Sequence, residues 1–226
     1  MILFRKAILI IHGFAGGTYD EESIANYLEK KWNFDVYSFT LPGHDKYSFR
    51  TSRYVEWIDA TENMVEMLIG YGYKDIYIIG HSMGGVLACY IAKKYKCVKK
   101  LVLAAPAFSY LTESDKTVDK IKSAVKAIKE NDTNEILTRF LKLPITSINQ
   151  FAIFVEEYKD CYREINIPTL IIHGDADTIV PISSSTHIFE ELSSKNKKIL
   201  ILDGITHDIF RECGFDTIKE VERFLS

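Results

Sequence analysis

Apolar positions in this chain follow two patterns that alternate. A short continuous apolar run at residues 6–11 predicts one strand, and residues 34–39, 76–79, 98–104, 167–172 and 198–202 read as five more. Runs with no polar alternation belong to strands covered on both faces. Between them lie stretches of helical period. Thr18 and Glu21 have capping-box spacing and open a helix to about Lys31. Tyr54, Trp57, Ile58, Thr61, Met64, Val65 and Leu68 form a stripe over residues 53–69. Further helices are predicted from the turn at Gly80 to about Lys96, after Ser183, and over residues 215–225. Residues 41–45 read as a loop. Strands alternating with helices imply a mostly parallel sheet with helices on both faces and right-handed crossovers.

One segment breaks the alternation. Between Pro106 and Pro168 no strand pattern occurs. Val118, Ile121, Val125 and Ile128 form one helical stripe, and Ile148, Phe151, Ala152 and Val155 another. So long a helical insertion between two strands reads as a cap. The expected division is a core of residues 1–106 and 167–226 with a helical cap at 107–166.

Composition narrows the function classes. The chain has 226 residues, 47% hydrophobic and 26% charged, the profile of a globular protein. Lys plus Arg is 28 and Asp plus Glu 31, a net charge of −3, which argues against nucleic acid as the main partner. The basic run Lys93, Lys94, Lys96, Lys99 and Lys100 falls at a predicted helix C-terminus, where cations complement the dipole. No run approaches the roughly 18 apolar residues of a transmembrane helix, so no stable membrane anchor is expected. The apolar run after Arg5-Lys6 is short and lacks a small-residue cleavage site, so it reads as a strand and not a signal peptide. Cys89, Cys97, Cys161 and Cys213 have irregular spacing, expected of reduced thiols in a cytoplasmic protein.

The chemistry centres on Gly80-His81-Ser82-Met83-Gly84, a G-x-S-x-G placed between a strand and a helix. Such a turn lifts a serine hydroxyl above the sheet edge and aims a helix N-terminus at developing negative charge. A serine needs a base, and the base an orienting carboxylate. Asp175 and Asp177 follow the fifth strand, and His207 follows the sixth. The other histidines at strand ends, His12, His44, His81 and His173, adjoin glycine and read as structural hydrogen-bonding groups. No HExxH, P-loop, GxGxxG or paired-cysteine spacing occurs, so neither cofactor nor metal is expected.

With these motifs the chain resembles the α/β-hydrolase superfamily, and within it the compact capped carboxylesterases and monoacylglycerol-lipase-like serine hydrolases. His12-Gly13-Phe14 resembles the oxyanion loop, Gly80 to Gly84 the nucleophile elbow, Gly174 to Asp177 with Val180-Pro181 the acid loop, and Thr206-His207-Asp208 the histidine loop. His44-Asp45 departs from the glycine often found after Gly-His in these relatives, a difference that bears on pocket shape. The resemblance implies Ser82 as nucleophile, His207 as base and Asp177, the later aspartate, as acid. It also implies an oxyanion hole from the backbone N–H groups of Phe14 and Met83.

The expected reaction is hydrolysis of a small-molecule carboxylic ester through an acyl-enzyme. Phe108, Tyr110, Phe140, Phe151 and Phe154 in and beside the cap favour an apolar acyl or aromatic group. A thioesterase, an aminopeptidase or a carbon–carbon bond hydrolase would keep the same residues, and a ligand-binding protein without turnover would keep the fold. Oligomeric state has no signal in the sequence.

Overall fold

The computed structural model describes residues 5–45, 48–108, 139 and 143–226. Six strands form one sheet: β1 (Lys6–Ile11), β2 (Phe34–Ser38), β5 (Ile76–His81), β6 (Val98–Ala104), β7 (Thr169–Gly174) and β8 (Lys197–Leu202). Their order is β2-β1-β5-β6-β7-β8, and every neighbouring pair is parallel.

Alternation along β1 builds both faces of the core. Ala7, Leu9 and Ile11 belong to one apolar cluster, and Ile8 and Ile10 to the other. All five are buried. Each large aliphatic side chain so buried contributes about 1.5–3 kcal/mol. The first face is covered by α2 (Tyr54–Gly70), α3 (Met83–Lys94) and α5 (Ile182–Glu191), with α4 (Ile145–Tyr158) packed on α2 and α3. The second is covered by α1 (Glu22–Glu29), α6 (Ile209–Glu212) and α7 (Phe215–Leu225). On α7 the buried residues Ile218, Val221 and Leu225 recur at helical spacing, which fixes the face it presents.

Two local expectations are corrected. Thr18 and Glu21 do not form a capping box. Thr18–Asp20 is a 3₁₀ turn, and Asp20 Oδ2 accepts the Gly17 N–H at 3.0 Å. The Glu21 carboxylate turns inward to a buried histidine, a charge-assisted partner stronger than a neutral backbone N–H. The segment at 41–45 is not all loop, since His44–Asp45 (β3) pairs antiparallel with Ser48–Phe49 (β4). Short helix α6, directly after His207, had no periodic signal because it is only four residues long.

Between β6 and β7 the described residues hold α4 and a 3₁₀ turn at Cys161–Glu164, with no strand among them. The stripe at Val118, Ile121, Val125 and Ile128, and the aromatics Tyr110 and Phe140, lie outside the described residues. Helix α4 packs through Phe154, whose ring meets Trp57 of α2 at 6.2 Å between centroids.

Because all six strands are parallel, the segments after β1, β5, β6, β7 and β8 emerge at one edge of the sheet, where open α/β sheets build their sites. Strain collects there. The non-glycine residues with positive φ among the described residues are Ala15 (63°), Ser82 (53°) and Ala105 (43°), all just past strand ends.

Candidate active site

Ser82 joins β5 to α3 with φ 53° and ψ −116°. Two glycines permit the turn. A Cβ on Gly80 would run into the Gly84 carbonyl, and one on Gly84 into the carbonyl of Ile11. The strained residue is pinned from both sides. Its N–H donates to the Ala104 carbonyl at 2.8 Å, and its carbonyl accepts from Gly85 at 2.9 Å and Ala107 at 3.2 Å. Met83 is the first residue of α3, so its N–H lies at the positive end of the helix with no intrahelical acceptor.

The loops after β7 and β8 bring Asp177 and His207 together. His207 Nδ1 lies 2.7 Å from Asp177 Oδ2. The other Asp177 oxygen accepts the N–H groups of Ile179 and Val180 at 2.8 and 2.9 Å. His173 Nε2 lies 3.2 Å from Asp177 Oδ2. Burial alone would raise the Asp177 carboxyl. The hydrogen bonds from His173 and His207 outweigh it and hold the group well below the usual carboxylate range. The carboxylate therefore accepts a proton-bearing Nδ1, which leaves His207 Nε2 as a bare lone pair. Burial lowers the His207 pKa, and Asp177 offsets this only in part.

Asp175 has a different place. It is exposed, and its carboxylate accepts the Gly204 N–H at 2.7 Å, tying the β7 loop to the β8 loop.

The loop after β1 lies against the serine turn, since a Cβ on Gly13 would sit 3.0 Å from Ser82 Cβ. His12 fixes this loop. Its Nε2 accepts the Leu41 N–H at 2.9 Å, so Nδ1 carries the proton and donates to the Gly13 carbonyl at 2.8 Å. Burial keeps that ring neutral, with a pKa lowered to about 3. Phe14 packs edge-on to His44 and Trp57 and flat against Phe151 of α4. Further along, Asp20 takes a two-pronged ion pair from Arg139, at 2.8 and 2.9 Å. This pins one residue of the 107–166 segment to the loop.

Two residues of the site, His81 and Glu21, were read from sequence as a structural hydrogen-bonding group and a capping residue, without the partners the structure gives them. His81, the residue before Ser82, directs Nε2 to the His207 carbonyl at 2.9 Å and Nδ1 to Glu21 Oε1 at 2.9 Å. The His81 and His207 rings lie 5.0 Å apart. The readable signal was a histidine inside the serine motif, while Glu21 fitted a local capping pattern. Among the described residues, no group of three or more His, Cys, Asp or Glu has a metal-holding arrangement. No described helix is long and apolar enough to cross a membrane.

A family model described as "alpha/beta hydrolase fold" matches residues 6–132, and one described as "Serine aminopeptidase, S33" matches residues 116–214. A thermostable monoacylglycerol lipase of a Bacillus species is 26% identical, over 88% of this chain and 82% of that protein. A carboxylesterase of Bacillus subtilis is 21% identical, over 97% of this chain and 92% of that protein. Among solved structures, a monoacylglycerol lipase of Paleococcus ferrophilus superposes with a TM-score of 0.71 at 21% identity. It covers 97% of this chain and 93% of its own.

Proposed function

Because this chain belongs to the α/β-hydrolase fold family, we propose that it hydrolyses carboxylic esters through an acyl-enzyme on Ser82. One observation carries the reading. The buried Asp177–His207 pair meets the strained serine turn through the 2.9 Å contact of His81 with the His207 carbonyl. A nucleophile, a base and an orienting acid thus share one edge of the sheet. The esterase and lipase names of similar proteins support the same chemistry.

In the proposed reaction, His207 Nε2 takes the Ser82 hydroxyl proton as Oγ attacks the ester carbonyl carbon. Asp177 keeps the proton of His207 on Nδ1 and stabilises the imidazolium that forms. The backbone N–H groups of Phe14 and Met83 face the oxyanion, a contribution of about 2.7–4 kcal/mol per donor in such sites. His207 then returns the proton to the departing alcohol. Water, activated by the same imidazole, releases the acid and restores Ser82. The steps use side chains, backbone and water.

The segment at 107–166 serves as a cap over this edge, held by the Arg139–Asp20 ion pair and by α4 packed on α2. The Phe14–Phe151 stack gives the acyl side an apolar aromatic wall, which suits an apolar acyl or aromatic ester. A panel of p-nitrophenyl esters of graded chain length, run on wild type and Ser82→Ala with a fluorophosphonate label, tests the proposal. Chain-length-dependent turnover and labelling, both lost in the variant, support it. Turnover of a thioester or peptide above every ester would move the reaction class and leave the residues in place.

A further inference from the structure

We infer that Glu21 and His81 are a positioning pair that holds the His207 loop against the serine turn. The inference rests on the proposed roles of Ser82 and His207.

The tautomer follows from geometry. The acceptor facing His81 Nε2 is a backbone carbonyl, which can only accept, so Nε2 carries a proton. Nδ1 and Glu21 Oε1 share a second proton along their 2.9 Å axis. The side chains of Glu21 and His81 are 1% and 5% exposed, so neither end is satisfied by bulk water. Burial alone would lower the His81 pKa, but the Glu21 carboxylate overrides it and raises the value to about 9. Burial raises the Glu21 carboxyl while the His81 contact lowers it, and with the ring's own pKa raised to about 9 the ring donates at both ends near neutral pH.

The pair spans three segments of the site. Glu21 stands at the N-terminus of α1, His81 ends β5, and the accepting carbonyl belongs to the residue proposed as base. Asp177 fixes the His207 ring from the β7 side, and His81 fixes its backbone from the β5 side. Without the second contact, the His207 backbone keeps its local bond to the Ile209 N–H at 2.9 Å, and its loop keeps ties to the β7 loop and to Glu212, but nothing holds it to the β5 side. Glu21 Oε2 finds no hydrogen-bond partner among the described residues although it is buried, a cost that a purely structural ion pair would be expected to avoid. The groups facing the pair and His207 are Asp208 on the histidine loop, Asp20 beside Glu21, His12 on the β1 loop and Asp177 on the β7 loop. The cationic His81 ring opposes protonation of His207, which keeps the base neutral to lower pH.

The test compares His81→Leu, His81→Gln and Glu21→Gln with wild type on p-nitrophenyl acetate, with pH profiles and melting curves. His81→Leu removes the donor and should lower kcat about 10- to 100-fold with KM little changed, the cost of a misplaced base. His81→Gln places an amide N–H at the same reach and should recover most of that loss. Glu21→Gln leaves a neutral ring with its Nε2–H in place. It should keep plateau kcat within a few-fold and move the acidic limb of kcat/KM to higher pH. Full activity in His81→Leu overturns the inference. So does a loss that His81→Gln does not rescue, or an acidic limb unmoved in Glu21→Gln. Ser82→Ala separates the two levels. Turnover in that variant defeats the proposed function itself, whereas an inactive Ser82→Ala beside a fully active His81→Leu defeats the positioning role alone.

Discussion

The ring of Phe14 lies flat on the ring of Phe151, with centroids 4.7 Å apart and 9° between their planes. Phe14 belongs to the loop whose backbone faces the serine turn, and Phe151 to helix α4. Phe154, three residues on, points elsewhere, into Tyr54, Trp57 and Tyr158. Sequence spacing treats the two phenylalanines alike, and their contacts do not.

Phe154→Ala therefore empties a fully buried site between helices and should cost about 3–5 kcal/mol of stability, with substrate preference unchanged. Phe151→Ala removes the ring stacked on Phe14, the wall proposed for the acyl side. It should shift the ratio of kcat/KM between short and medium esters by roughly 10- to 200-fold. Melting curves and an ester series on both variants check this, and the reverse assignment would refute it.

Ser82→Ala should lower kcat by about 10⁴ to 10⁶ while the protein stays folded, because it removes the hydroxyl on which the proposed acyl-enzyme forms. Circular dichroism and ester hydrolysis measured side by side decide it. More than a tenth of wild-type activity in the variant is incompatible with the assignment.

Asp177→Asn should lose far more activity than Asp175→Asn. An amide at 177 presents a donor or a weaker acceptor to His207 Nδ1 and favours the wrong tautomer, a loss of order 10⁴ in such triads. Asp175 touches the Gly204 N–H and not the imidazole, so its variant should lose loop rigidity and only a few-fold in rate. Equal losses would mean that the two loops act as one unit.

Stability should be highest near pH 6.5. His12 and His44 are buried neutral, with pKa values lowered by burial to about 3 and about 4. Below about pH 6.5 the unfolded chain binds protons that the native state refuses, so their stabilisation is lost as pH falls toward those values. His81 has the opposite sign. Its pKa is raised to about 9, so its contribution is complete below about 6.5 and is lost as pH rises through 9. Urea midpoints across pH measure both slopes, and His81→Gln should flatten only the alkaline one. The lowered His207 pKa adds a kinetic counterpart, because the acidic limb of kcat/KM should lie below the usual histidine range.

The chain by itself determined the layers. Ala7, Leu9 and Ile11 against Ile8 and Ile10 could face only two opposed helical layers, and helix α7 occupies the residues 215–225 expected of it. It also determined the motif order Ser82, Asp177, His207, since each must follow a strand at the same edge of a parallel sheet. Periodicity encodes which way a side chain faces, and these are statements about facing. Tertiary structure alone decided which buried polar groups meet. Glu21 reaches His81 across 60 positions and His81 reaches His207 across 126, while the local pattern at Thr18 pointed Glu21 to a helix cap. A capping pattern costs nothing to read from neighbours, but a buried carboxylate goes to the strongest donor that the packed loops bring near it. Only the closed sheet edge supplies that donor.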